Sequence, residues 1–446
     1  MKHFLRTLFL LCFVQSGFYS FSQNDTTALK AGLAAEQYVN TNQMHYDDWV
    51  YVPNIKSIWL HESSFLLSSP IIDLDGNEHL SLTFDDLDAD NKQYAYTLIH
   101  CDAAWKPSDL MQQEYLPNFT EEQITTFTFS QGTAQRYAHY QWEFPNGTMR
   151  LTKSGNYILK VYLAGAKDKP VFTRKFMAYS TKVSVKANIH QAAGSDDYMN
   201  KQEIDFSILY PGYSIPQIDN LKVVIQQNNR WDNAIYNLQP AYMKPDEFSY
   251  DYDDGSNTFD GGNEYRAAIF KNFNFVTGGT EKMYRDSANN WHVQLLPDEV
   301  KTDKRYYISQ DLNGMYLRTI EQRDSSLIDI VSEYAQVHFN FPFEFPMVEG
   351  DFYVLGNLTD NHFTKENRMA FNYFTKKYEC DLYLKQGYYD YTYVFLPDGK
   401  PAAQTNQIEG DHWETENDYT IYVYHKPPGS YCDQLICVQK FNSIKK

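Results

Sequence analysis

The stretch Ser154-Gly155-Asn156-Tyr157-Ile158-Leu159-Lys160-Val161-Tyr162-Leu163 decides the fold class. A Ser-Gly-Asn turn opens it, and Tyr157, Leu159, Val161 and Leu163 then occupy every second position. Strand side chains point alternately to two faces, so this is the pattern of a strand with one packed face. The same period recurs at Leu80, Leu82 and Phe84 and at Tyr94, Tyr96 and Leu98, with turn signals at Asp75-Gly76-Asn77 and Pro145-Asn146-Gly147. Strands roughly eight to twelve residues apart, separated by such turns, predict a β-sandwich from about residue 50 to 180. Within it, Pro107 to Gln123 reads as a loop or short helix.

A second block opens near Thr181. Val183, Val185, Ala187 and Ile189 alternate, as do Ile204, Phe206 and Ile208, and Leu221, Val223 and Ile225. Asp246 to Gly262 reads as a long polar loop, and Asp303 to Asp329 shows no clear period. A third block opens at Val337, Phe339, Phe341 and Phe343. Its run Phe352-Tyr353-Val354-Leu355-Gly356-Asn357, followed by Tyr378 to Leu384, Tyr388 to Leu396 and Pro397-Asp398-Gly399, resembles early-set immunoglobulin-like modules related to glycogen-binding domains. The expected fold is all-β, with two to three tandem immunoglobulin-like or early-set sandwiches carrying long loops. The expected division is a signal peptide at 1–22 and domains at 23–180, 181–335 and 336–446. The 37 Tyr, 29 Phe and 7 Trp fit this class, because aromatic side chains suit half-buried pleated surfaces. Some of them could also serve a recognition surface.

The compartment is read from the first residues. Lys2 and Arg6 precede an apolar run from Leu8 to Val14 and a polar exit at Ser20-Phe21-Ser22, the layout of a cleaved secretory signal. That run is too short to cross a bilayer. Leu10-Leu11 before Cys12 argue against lipidation, which wants small residues there. Without the leader, 37 basic residues face 57 acidic ones, a net charge near −20 that repels nucleic acid and anionic lipid. The mature protein is expected to be soluble and not inserted in a membrane. Four later cysteines, Cys101, Cys380, Cys432 and Cys437, are too few for a disulfide scaffold in a chain of this length. Cys432 and Cys437 could meet across a hairpin, but small buried residues are the simpler reading.

Candidate chemistry is sparse. Asp85-Asp86-Leu87-Asp88-Ala89-Asp90 could offer oxygens to calcium, but the glycine and the bidentate glutamate of a calcium loop are missing, so a solvated turn is expected. Asp251-Tyr252-Asp253-Asp254-Gly255 reads the same way. His100-Cys101-Asp102 carries the residue types of a nucleophile and base, yet neighbours on a strand face opposite ways. No nucleophile elbow, phosphate loop, His-Glu-x-x-His or Cys-x-x-Cys motif occurs. No catalytic, cofactor-binding or metal residue is therefore assigned. An alternative role, a carbohydrate-binding envelope protein, would use Tyr388, Tyr389 or Trp413, although the Gly356-Asn357 turn lacks the tryptophan that sugar-binding relatives carry.

Several strings, taken in order, resemble one family, the plug proteins of the type IX secretion system of Bacteroidota. They are Leu82-Thr83-Phe84-Asp85-Asp86-Leu87, His100-Cys101-Asp102-Ala103-Ala104-Trp105-Lys106-Pro107-Ser108, Glu114-Tyr115-Leu116, Phe144-Pro145-Asn146 and Pro170-Val171-Phe172-Thr173-Arg174-Lys175-Phe176. Glu409-Gly410-Asp411-His412-Trp413 and Tyr424-His425-Lys426-Pro427-Pro428-Gly429 add to them. The resemblance implies a non-catalytic periplasmic monomer that closes the periplasmic mouth of an outer-membrane translocon barrel. It carries over no contact residues. Prolines stiffen a loop and lower the entropy lost on docking, so His425, Lys426, Pro427, Pro428 and Tyr431 form the candidate partner contact.

Overall fold

The computed structural model describes residues 44–194, 198–321 and 327–444. The expected signal peptide at 1–22 lies outside them. The strands form six sheets, which pair into three sandwiches.

In the first sandwich the six-stranded sheet runs in the order Trp49–Val50, Pro170–Tyr179, Gly155–Leu163, Tyr94–Cys101 and Glu122–Ile124, with Ile71–Asp73 alongside Pro170–Tyr179. The facing sheet is Ile55–Glu62, Leu80–Asp86, Ala138–Phe144 and Phe127–Phe129. Leu80, Leu82, Phe84, Tyr94, Tyr96, Leu98, Tyr157, Leu159 and Val161 meet in one core, as their period predicts; Leu163, at the strand end, stays exposed. Each such side chain contributes about 1.5–3 kcal/mol by leaving water. Phe84 stacks on Tyr140 with ring centroids 4.9 Å apart, and Tyr157 on Phe176 at 5.1 Å. Tyrosines can fill the core because their hydroxyls find acceptors at its margin. Tyr94 donates to Asp86 at 2.9 Å, Tyr140 to the Lys92 carbonyl at 2.8 Å and Tyr157 to the Lys153 carbonyl at 2.6 Å. Gln112–Tyr115 is the short helix expected in this block.

The second sandwich departs from the expected division. One sheet is local, with Ser184–Gln191, Lys201–Leu209, Glu247–Tyr250 and Tyr242–Lys244 in order and Thr258–Asp260 on Lys201–Leu209. The other is Arg230–Tyr236, Leu221–Gln227, Asp418–His425 and Gln434–Asn442. The last two strands fall in the domain expected at 336–446, yet Leu221 to Gln227 pair residue for residue with His425 to Tyr419. Tyr419, Ile421, Val423, Ile436 and Cys437 complete the core begun by Ile204, Phe206, Val223 and Ile225. A strand's period tells which face is buried but not which distant strand lies beside it.

The third sandwich is inserted between these halves. Its sheets are Arg266–Ile269, Gly387–Pro397 and Tyr316–Arg318 with Gly350–Leu355 on Gly387–Pro397, and Thr280–Arg285, Trp291–Leu295, Tyr334–Pro342, Lys377–Lys385 and Ala370–Asn372. The boundary expected at 335/336 therefore cuts through it, because Arg266–Ile269, Trp291–Leu295 and Tyr316–Arg318 all belong to this body. Tyr316–Arg318 lies inside the stretch that showed no period. The two linkers crossing into the insert are tightly apposed: a Cβ on Gly261 would lie 2.0 Å from the His412 carbonyl oxygen.

Candidate functional site

Leu80, Leu82 and Phe84 point into the first core, so Ser81, Thr83 and Asp85 point out of it. All seven residues of Leu80–Asp86 are nevertheless buried, because the third sandwich covers the outward face. Arg318 donates to Thr83 Oγ1 at 2.8 Å. Asp85 accepts from Lys385 Nζ, Tyr334 Oη and, across the strand pair, His139 Nδ1, each at 2.6 Å. Asp85 and Lys385 are both fully buried. Lys385 also donates to the Asp329 carbonyl at 2.6 Å and lies 4.2 Å from the Tyr137 ring centre. Burial pushes the Asp85 carboxyl pKa up, but Lys385 and His139 outweigh it and hold the group well below the usual carboxylate range. The expected solvated turn is thus corrected for its first half. Asp85 and Asp86 are buried, Asp86 being held by Lys92 at 2.8 Å and Asn54 at 2.6 Å, while Asp88 and Asp90 have exposed side chains.

The first and second sandwiches meet through apolar surface. Cys101, Ala103, Trp105, Ile158 and Met177 pack on Val224, Tyr422, Tyr424 and Leu435, and the Tyr424 hydroxyl donates to Asn156 Oδ1 at 2.8 Å. Lys175 lies 4.8 Å over Trp105 and 5.4 Å over Trp231 and pairs with Asp47 at 2.6 Å. Asp47 also holds His362 of the third sandwich at 3.1 Å. Burial opposes a charge on His362, yet the Asp47 carboxylate raises its pKa to about 9. Where the three bodies meet, a cavity of about 130 Å³ is lined by Trp59, Trp105, Arg174, Trp231, Tyr316 and Tyr422 among others. Next to it, a cleft of about 650 Å³ separates the first sandwich from the third. The three bodies are joined by apolar packing, an ion-pair cluster and two close linkers, a junction suited to holding one shape rather than to chemistry.

The residues singled out in the sequence are scattered. His100 is buried at its strand end, with Nδ1 2.9 Å from Ser108 Oγ and Nε2 3.2 Å from the Ser154 carbonyl. Cys101 faces the other way, into the contact with the second sandwich, and burial pushes its thiol up to about 12. They do not form a pair. Cys101, Cys380, Cys432 and Cys437 are buried free thiols. In the candidate tip, Tyr431 is 74% exposed and Lys426 and Pro428 are exposed, whereas His425 is buried and 2.8 Å from the Tyr213 hydroxyl. His425 is therefore a strand residue and not part of the tip. Tyr389 is buried and Tyr388 and Trp413 are half-buried, so none is an open sugar platform. Among the described residues, one His/Asp/Glu group places ligand atoms within 4.8 Å of one another: His190, Glu203 and Asp205. Its His190–Asp205 contact of 2.7 Å is that of an ordinary ion pair. Sequence reasoning missed Lys385, Arg318 and Asp329; Lys385 ends a strand and showed no local signal of burial.

Residues 55–180 match the family described as Type 9 secretion system plug protein 1st domain. A crystal structure of a hypothetical protein from Parabacteroides merdae is 31% identical, with a TM-score of 0.86 over 90% of this chain and 100% of that one. A DNA-bound alkylpurine DNA glycosylase from Pseudomonas fluorescens, 12% identical over 28% of this chain and 30% of that one, has a TM-score of 0.17 and carries no argument. No curated protein matches the chain.

Proposed function

Because this chain belongs to the family of type IX secretion plug proteins, we propose that it is a non-catalytic periplasmic plug that closes the outer-membrane translocon when no substrate passes. The match of residues 55–180, all of the first sandwich but its Trp49–Val50 edge strand, to the plug domain carries this reading. The welded junction supports it. A plug must cover a wide pore rim without deforming, and three sandwiches locked by apolar contact and buried ion pairs make one broad stiff body. The balance of 57 acidic against 39 basic residues would steer it toward basic loops at the barrel mouth. No helix among the described residues is long and apolar enough to cross a membrane, in keeping with peripheral attachment in the cell envelope. The tip, where Lys426, Pro428 and Tyr431 are exposed and Pro427 is half-buried, would be one contact with the barrel.

The test is a deletion strain. Secretion is expected to continue while the outer membrane becomes permeable to bulky antibiotics, because the idle translocon stays open inward. Unchanged permeability, with the translocon still assembled, overturns the plug reading.

A further inference from the structure

The strand Lys377–Lys385 is half-covered. On one side Tyr334–Pro342 pairs with all of it, from Lys385↔Tyr334 to Lys377↔Pro342, without a register shift. On the other side Ala370–Asn372 covers only Lys377 to Glu379. In an antiparallel ladder, alternate residues direct both N–H and C=O away from a given neighbour. Among the described residues, no hydrogen bond reaches the backbone of Asp381, Leu382, Tyr383 or Leu384 from that second side. Natural sheets usually blunt such an edge with a bulge, a proline or a cover, since it is a template for another strand. This run has no proline, and its pairing with Tyr334–Pro342 is regular.

The edge does not look into open solvent. Asp381 to Lys385, with Asn357 to Asp360 and Thr364 to Asn367 of the same sandwich, form one side of the 650 Å³ cleft, and Asp48 to Pro53 and Ile55 to Ile58 of the first sandwich form the other. That volume lies within the roughly 300–1,000 Å³ of ligand sites. On the facing wall stands Lys56, with no carboxylate within ion-pair distance among the described residues; Glu366 is the acidic group that acts on it from farther off. An open strand edge asks for backbone donors and acceptors at strand spacing, and a partly desolvated ammonium asks for an anion. One extended peptide bearing a carboxylate supplies both.

We propose that this cleft binds an extended acidic segment of a partner protein, which adds as a strand along Asp381–Leu384 and sets a carboxylate against Lys56. Main-chain pairing would give affinity, and the lysine would fix register and direction. The inference deepens the plug reading by naming a surface through which the protein meets its partner, and it rests on that reading only for the partner's identity.

The test uses the full chain and a phage-displayed library of random 12-residue peptides. Selected peptides are expected to carry Asp or Glu and to slow amide exchange at least tenfold at outward-facing positions within Asp381–Leu384. Lys56→Glu should weaken them tenfold or more at an unchanged melting temperature, and Lys56→Arg should keep them. Peptides that protect other amides, or that bind Lys56→Glu equally well, overturn the proposal, as does a library that yields no binder. Failure of the plug reading shows separately, as wild-type protein that recovers no barrel from envelope extract while the peptide result stands.

Discussion

Lys385→Met probes the junction most directly. Methionine keeps the apolar stem but removes the ammonium that sits 2.6 Å from Asp85 Oδ2 and 2.6 Å from the Asp329 carbonyl. Asp85 is then left fully buried with His139 and Tyr334 as hydrogen-bond partners and Arg318 as the remaining cation beyond hydrogen-bond reach. Breaking a buried pair from one side costs about 3–5 kcal/mol, because the other charge stays behind uncompensated. Urea unfolding followed by tryptophan fluorescence at pH 7 should show that loss. The double change Asp85→Asn with Lys385→Met removes both charges and should cost clearly less than the sum of the two single changes. The pH dependence has a definite sign. Asp85 has a folded pKa below its unfolded value, so its stabilisation is in place above about pH 4 and is lost as pH falls through the folded value. The gap between wild type and Lys385→Met should therefore narrow near pH 3. A Lys385→Met protein within about 1 kcal/mol of wild type at pH 7, or strict additivity in the double change, would refute the reasoning.

Other expectations follow from single contacts. His362 titrates near 9 when folded, above its ordinary 6.5, so its pairing with Asp47 stabilises fully below about pH 6.5 and fades as pH rises through 9; His362→Gln should flatten the melting temperature across that window. Gly261→Ala forces a Cβ to 2.0 Å from the His412 carbonyl and should cost about 1–3 kcal/mol in urea unfolding, whereas Gly147→Ala, with open space around it, should be neutral. Glu264 is buried with the Tyr306 hydroxyl donating to it, and burial raises its carboxyl to about 7, so folding takes up a proton and stability falls as pH climbs from about 4.5 to 7; Glu264→Gln should raise the melting temperature at pH 8 but not at pH 4.5. Replacing Pro427-Pro428 by Gly-Ser together with Tyr431→Ala should lower recovery of the translocon complex at an unchanged melting temperature.

The sandwiches could be read from sequence because period-two alternation is a local property. Tyr157, Leu159 and Val161 enter the core that their spacing predicts. The insertion could not be read, since nothing near Tyr419 or Ile421 says that their neighbours are Gln227 and Ile225. Asp85 illustrates a second blind spot. A run of aspartates after a strand looks solvated, and only a lysine 300 positions away makes burial of the first one tolerable. The tip was legible as an exposed proline turn, but not the exclusion of His425, whose burial depends on Tyr213 in another strand connection. The open edge at Asp381–Leu384 has no sequence signature at all, because a missing neighbour leaves no residues to read.

Threading one sandwich through another has a consequence for biogenesis. The sheet that holds Leu221–Gln227 cannot be completed until Asp418–His425 arrives, so the middle of the chain waits for its far end. Pairings of such long sequence separation slow folding and leave apolar strands unsheltered meanwhile. A chain made from its N-terminus would thus finish its first body early, then hold an unclosed half-sandwich while some 150 further residues emerge. Any break or stall before the final hairpin would leave that half unfinished. The arrangement makes completeness a condition of stability, and leaves a truncated chain open to proteolysis.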